Sequence, residues 1–137
     1  KIRSWNFNKY QKLIDIYKLN WVQVGLKDEK ILNGVVNLLG KTNIRELFFL
    51  VYKCNFILSN DGALNHIANC FDKKSFVIMS GYTHEEFIKY NNTTLISRVP
   101  QIECAPCYLK TECPKERKFC TDDISVEDVL KTINKKN

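Results

Sequence analysis

Apolar residues in this chain fall into short runs separated by polar turns, and the spacing inside each run predicts its element. From Phe7 to Leu19, Tyr10, Leu13, Ile14 and Tyr17 recur at helical spacing, and Asn20 ends the pattern. Trp21 to Gly25 is a short apolar run closed by glycine, which predicts a buried strand entering a loop. Leu32 to Leu39 is ambiguous: Val35 and Val36 favour a strand, but the run is short. Asn43 with Glu46 three positions later forms a capping-box pattern, opening a helix from Ile44 to Cys54 that buries Leu47, Phe48, Val51 and Tyr52.

Phe56 to Ser59 predicts a buried strand, Asn60-Asp61-Gly62 a turn, and Ala63 to Phe71 a helix. Ser75 to Met79 predicts a further buried strand ended by Ser80-Gly81, Glu85 to Tyr90 a helical turn, and Thr93 to Ser97 another strand. Ser125 caps a last helix through Ile133, with lysines after it. Strands alternating with helices, their apolar runs uninterrupted, predict an α/β fold on a doubly wound parallel sheet. Residues 1–137 are expected to form one domain, with a Cys-rich segment at 104–120 and a terminal helix at 125–135.

Composition adds bounds. A chain of 137 residues with 45% hydrophobic content can bury a real core. No run approaches the ~18 apolar residues of a membrane helix. The chain opens at Lys1 without initiator Met, signal peptide or tag, and is expected to be part of a longer polypeptide. A reducing, cytoplasmic setting is expected. Net charge is +6 and the pI about 9.0, a balance that suits a phosphorylated ligand, an anionic membrane surface or nucleic acid. The basic residues are scattered, and the one dense run, Lys110 to Lys118, also holds Glu112 and Glu116, which argues against nucleic acid.

Candidate chemistry concentrates between the Phe56 strand and the helix after it. In open parallel sheets, ligands sit outside the carboxyl ends of the strands. Gly62 and Ala63 are small enough to let backbone amides approach a phosphate, and a helix N-terminus there adds positive potential. His66, one turn on, can point back toward the same anion. Asp61 could accept hydrogen bonds from the loop or meet the ligand through a divalent cation. Each residue also has a structural reading, since Asp-Gly is a common turn and a histidine near a helix start can simply pack.

Cys104, Cys107, Cys113 and Cys120 carry enough thiolates for a tetrahedral structural zinc site, and Pro106 and Pro114 would stiffen it. The Cys113–Cys120 spacing is wider than in common zinc knuckles. A disulfide pair or free thiols tying down a loop are equally open. Cys54 and Cys70, in apolar surroundings, are expected in the core. A zinc-knuckle module touching nucleic acid through the Lys110 to Lys118 region is the competing reading of function.

The segment from Ser59 to Ala68 resembles the D-[ST]-G-[PL]-x-H-[LI]-A element of glycosyltransferase family 9, the lipopolysaccharide heptosyltransferase family. Other elements follow in the same order. Arg3-Ser4-Trp5 resembles the family's K-x-W-P, with Arg for Lys and Asn6 for Pro. Asn37 to Thr42 is similar to N-L-x-G-K-T, and Met79 to Thr83 loosely matches F-G-x-T. The four cysteines, then Ile124 to Val129, resemble the tail C-x-P-C…C…C…I-x-x-x-x-V. The departures are Gly62 where the family has a hydroxyl residue and Ala63 where it usually has glycine.

The resemblance implies a GT-B enzyme of two Rossmann-like domains, of which this chain is the carboxy-terminal, donor-binding half. It implies an ADP-heptose-like nucleoside-diphosphate sugar as partner, held by Arg3, Glu29, Thr42, Asp61, Gly62, Ala63 and His66. Arg3 would take the place of a phosphate-binding lysine, Thr42 would lie near the adenosine, and Glu29 would meet the ribose. The family's catalytic Asp belongs to the amino-terminal domain, so this chain alone is expected to be inactive. A glycolipid acceptor would be bound through that other domain, and peripheral contact with the inner membrane is consistent with the positive charge.

Overall fold

The structure is a computed structural model that describes residues 3–109 and 112–136. Lys110, at one end of the basic run, lies outside the described residues.

The helices form where apolar periodicity and capping coincide. Helix α1 spans Phe7–Ile16 and buries Leu13 and Ile14; Asn6 caps it by accepting from the Asn8 amide. Helix α2, Ile44–Lys53, begins with the expected capping box: the Glu46 amide donates to Asn43 Oδ1 at 3.0 Å and the Asn43 amide to Glu46 Oε2 at 2.8 Å. Helix α3 is Ala63–Cys70. A four-residue helix α4, Phe119–Asp122, and 3-10 turns at Glu85–Phe87 and Val99–Gln101 stand between the larger elements. The last helix, α5, spans Val126–Lys136, and its start has a second reciprocal cap. The Asp128 amide donates to Ser125 Oγ at 3.0 Å, and the Ser125 amide to Asp128 Oδ2 at 2.9 Å.

Among the described residues, five parallel strands divide into two hydrogen-bonded groups. Strand β1, Val22–Gln23, pairs with β2, Val36–Asn37, with Val22 opposite Val36. Strands β3 (Ile57–Asn60), β4 (Ser75–Ile78) and β5 (Thr93–Ile96) form a sheet in that order. Parallel strands need crossovers, and α3 between β3 and β4 is one, consistent with the expected Rossmann-like fold. After β2 the chain turns at Gly40, whose φ is +64°; a Cβ there would lie 2.7 Å from that of Lys27, so only glycine fits.

The residues of β4 are buried on both faces, the signature of a doubly wound sheet. Phe76 and Ile78 pack with Trp5, Leu13, Ile96 and the α5 residues Val129 and Ile133. Val77 and Met79 pack with Ile88, Leu95 and Val99. A third cluster, Val51, Ile57, Ile67 and Ala68, holds α2 and α3 against β3.

One polar residue ties these layers together. Asn65 is fully buried on α3. Its Nδ2 donates to the Ile88 carbonyl at 2.6 Å, and its Oδ1 accepts from Ser75 Oγ at 2.8 Å and Thr93 Oγ1 at 2.9 Å. A helix, two strands and a turn are thus joined through one satisfied amide. Cys54 is half-buried at the end of α2, whereas Cys70 is exposed; the expectation of a core position fails for Cys70 because it lies on the outer side of α3.

Candidate functional site

Strands β1, β3 and β4 end on the same side of the molecule, and the loops leaving them meet in an open cleft of about 1070 Å³. Glu29 comes from the loop after β1, Asn60 and Asp61 from the end of β3, and Tyr82 from the turn after β4. Arg3 and Ser4 enter from the segment before α1. The opposite wall is built by residues 112–118 of the Cys-rich segment, including Lys115 and Arg117. A cleft at the carboxyl ends of parallel strands is where α/β folds place ligands.

Asp61 is the electrostatic centre of the floor. Only 7% of it is exposed, Oδ1 has no hydrogen-bond partner among the described residues, and Ser80 Oγ donates to Oδ2 at 3.3 Å. Arg3 Nε stands 4.0 Å from Oδ1. Burial pushes the Asp61 carboxyl above its ordinary value, while the Arg3 guanidinium and the Ser80 hydroxyl hold it back. The Arg3 guanidinium lies over the Tyr82 ring, 4.5 Å from its centroid. Arg3 is therefore held by an acid and an aromatic face while half its side chain stays open to solvent.

Neighbouring bonds fix the segment that carries Arg3. The Trp5 amide donates to Asn60 Oδ1 at 3.0 Å, and the Tyr10 hydroxyl donates to the same oxygen at 3.2 Å. Trp5 Nε1 donates to the Ile124 carbonyl at 3.0 Å, and Lys118 Nζ to the Ser4 carbonyl at 2.7 Å. Positions 4 and 5 are thereby tied to β3 on one side and to the start of α5 on the other.

Of the seven residues expected to hold the ligand, Arg3, Glu29 and Asp61 line this cleft. Thr42, Gly62, Ala63 and His66 are not among its lining residues. Gly62 caps α3 in an extended conformation, φ 169°, with no side-chain hydrogen bond to the first-turn amides. A Cβ at Gly62 would meet nothing within 4 Å, so the position does not require glycine. Ala63 is exposed at the first position of the helix, and its methyl meets no unusual backbone. His66 is exposed on α3, and its Nδ1 shares a 2.6 Å hydrogen bond with the Tyr90 hydroxyl.

Residue-by-residue reading missed Tyr82, Ser80 and Lys115. The turn signal Ser80-Gly81 marked the end of a strand next to the Asp61 loop, which was enough to place Ser80 and Tyr82 beside it. Lys115 lies in the dense basic run from Lys110 to Lys118, but nothing local placed that run beside the Asp61 loop.

The four clustered cysteines are free thiols and line one small cavity of about 60 Å³ behind the cleft wall. Burial raises the Cys120 thiol above its ordinary range; a backbone hydrogen bond with Gly81 opposes this, and the nearby Cys107 and Cys113 add to the rise. Among the described residues, no three His, Cys, Asp or Glu side chains are arranged to hold a metal ion. Zinc ligation would require this loop to draw in further. Among the described residues no helix is long and apolar enough to cross a membrane.

Lipooligosaccharide heptosyltransferase 2 of Campylobacter jejuni subsp. jejuni serotype O:6 is 28% identical over 110 residues, 80% of this chain and 34% of that protein. Its counterpart from serotype O:2 is 27% identical over 105 residues, 77% of this chain and 32% of that protein. The chain thus spans about a third of the length of the curated relatives it matches. No solved structure gives a significant match. The model of glycosyltransferase family 9 (heptosyltransferase) matches residues 3–118, so the chain belongs to that family.

Proposed function

We propose that this chain forms the donor-binding part of a heptosyltransferase acting in lipopolysaccharide or lipooligosaccharide synthesis, and that the cleft receives the diphosphate of a nucleoside-diphosphate sugar. The observation that carries this reading is Arg3, half-exposed at the carboxyl ends of β1, β3 and β4, held in place by Asp61 and Tyr82. A guanidinium offers a planar fork of donors to phosphate oxygens, and anchoring it beforehand reduces the entropy lost on binding. The amides opening α3 bear no side-chain cap and follow Asp61 directly, although Gly62 and Ala63 stand outside the cleft lining; they reach the same anion only at its edge.

Transfer from such a donor needs stabilisation of the departing diphosphate and a base on the acceptor hydroxyl. Arg3 and the start of α3 supply the first. Lys115 adds a further cation on the opposite wall, where Glu112 and Glu116 also stand. Glu29, at the end of the cleft formed by the loop after β1, is suited to a ribose hydroxyl. His66 acts on the same anion only if Tyr90 releases it or relays the contact. The base, the acceptor site and the catalytic Asp are assigned to the rest of the longer protein, a cytoplasmic enzyme working at the membrane surface with a glycolipid acceptor.

The test is a titration with ADP, UDP and GDP followed by amide chemical shifts. Shifts concentrated at Arg3, Glu29 and 60–64 are expected. Arg3→Ala should weaken binding by about tenfold or more, the scale of one charge-assisted hydrogen bond. No response at the Asp61 loop to any of the three nucleotides would remove the proposal.

A further inference from the structure

Beyond Tyr82 the cleft runs out onto a strip of aromatic rings. The Tyr108 ring stands edge-on to Tyr82, with centroids 6.3 Å apart. Tyr108 in turn meets His84 at 6.0 Å, and His84 meets Phe87 at 6.4 Å. Tyr82 lines the cleft, whereas the other three rings lie outside its lining. All three are exposed, Tyr108 by 51% and Phe87 by 65%. The turn that carries Phe87 is anchored by its neighbour Ile88, which is buried against Val77 and Met79. The larger side chain is therefore the one turned outward.

The strip is held rather than frayed. Tyr108 has a φ of +50°, in the left-handed region that a bulky side chain seldom adopts. Two backbone bonds keep it there: the Cys107 amide donates to the Gly81 carbonyl at 2.8 Å, and the Tyr108 amide to the Tyr82 carbonyl at 3.0 Å. The approach is close, since a Cβ on Gly81 would lie 3.2 Å from that of Ala105. Sparsely populated backbone of this kind persists only where its surroundings enforce it, and it concentrates at ligand sites. Two segments distant in sequence thus present their rings side by side.

We propose that this strip is a saccharide platform, on which the sugar that receives the transferred residue lies with its C–H face against Tyr108 and Phe87. The placement rests on the donor reading above, and adds to the acceptor contacts assigned to the rest of the longer protein. A pyranose has apolar C–H faces and a rim of hydroxyls. Aromatic faces are apolar with negative potential, which suits the former, and the tyrosine hydroxyls and the imidazole of His84 suit the latter. Charge points the same way. Glu85 and Glu86 stand exposed on the turn between His84 and Phe87. Carboxylates accept from sugar hydroxyls and repel phosphate, so this turn disfavours a lipid headgroup or a nucleic acid. Position separates acceptor from donor. With the nucleoside toward Glu29 and the diphosphate at Arg3, the donor's own sugar reaches Tyr82. The rings beyond fall past its end and meet the next sugar.

The test uses the full-length protein saturated with ADP and titrated with an oligosaccharide released from the lipid of a truncated lipooligosaccharide core. Saturation-transfer NMR should reach the C–H protons on one face of a pyranose ring. Tyr108→Ala and Phe87→Ala should each weaken oligosaccharide binding at least about fivefold, the scale of one aromatic contact, with ADP affinity unchanged. Tyr108→Phe, which keeps the ring, should bind within about twofold of wild type. Absence of oligosaccharide binding overturns the proposal, as does binding that both alanine variants leave unchanged. A parallel loss of ADP affinity also overturns it, assigning the rings to the nucleotide base. Should Tyr108→Ala fail to fold, Phe87→Ala, on the other segment, decides alone. If ADP does not bind the wild-type protein, the donor reading fails by itself. The oligosaccharide is then titrated alone, and dependence on Phe87 and Tyr108 still supports the platform while independence removes it.

Discussion

Asp61 combines features that stability alone would not select. Its carboxylate is nearly buried, one oxygen lacks a hydrogen-bond partner among the described residues, and the nearest cation stands at 4.0 Å. A buried, under-satisfied acceptor costs about 1–3 kcal/mol. Burial raises the folded pKa above the unfolded one, so the group favours folding most in acid, below the unfolded value, and loses that contribution as pH rises through the raised value. Asp61→Asn keeps the shape and removes the charge. The variant should melt roughly 3–6 °C higher at neutral pH. That gain should disappear when melting is measured in acid, below the carboxylate range. In the full-length enzyme the same change should weaken donor binding about tenfold if holding Arg3 in place matters more than the carboxylate's repulsion of the diphosphate. A variant that melts at the wild-type temperature at neutral pH would show that the site stores no such strain.

At the scale of elements, Asn65 makes the strongest claim. Its amide serves Ile88, Ser75 and Thr93 at once, across three other elements. Asn65→Ala leaves a buried carbonyl and two hydroxyls without their partner and opens a small void. A loss of about 2–4 kcal/mol is expected, measured by urea unfolding. A loss below 1 kcal/mol would mean the three groups find other partners.

Asn65 also marks where sequence reading stops. Its position in a helix was legible from the spacing of Leu64, Ile67 and Ala68, but its partners lie 10, 23 and 28 residues away, and no local pattern specifies them. The caps at Asn43 and Ser125 were legible because both partners sit within one turn. The predicted Trp21 to Gly25 strand shortened to Val22–Gln23, as expected where a strand is paired on one edge only. The carboxyl-end loop with Asp61 could be read from the strand–turn–helix order. Lys115 could not be, because a segment with little regular structure brings it there. The partner of His66 was likewise beyond local pattern: its 2.6 Å bond is to Tyr90, 24 residues on.

Across the whole molecule, the two ends of the chain close one core. Trp5 is 3% exposed and stacks edge-on with Tyr10 at 4.9 Å, while its indole bonds to the Ile124 carbonyl, 119 residues away. Ile124, Val126, Val129 and Ile133 are buried in the same cluster as Trp5, Phe76 and Ile78. The family model matches residues 3–118, so this cover lies outside the matched region. Each fully buried aliphatic side chain contributes about 1.5–3 kcal/mol, which makes the four together worth roughly 6–12 kcal/mol. A domain of this size has a net stability of only about 5–15 kcal/mol. Truncation after Asp123 should therefore abolish cooperative thermal unfolding rather than lower its midpoint. Circular dichroism melting would show it, and a truncated protein that still unfolded in one sharp transition would mean α5 is an appendage. Because the Ile124 carbonyl also anchors Trp5, and Trp5 is two positions from Arg3, the same helix holds the cleft's leading cation in place. A milder change, Trp5→Phe, removes the indole bond and part of the buried ring while keeping an aromatic side chain; it should leave the protein folded and weaken nucleotide binding several-fold, separating loss of anchoring from loss of fold.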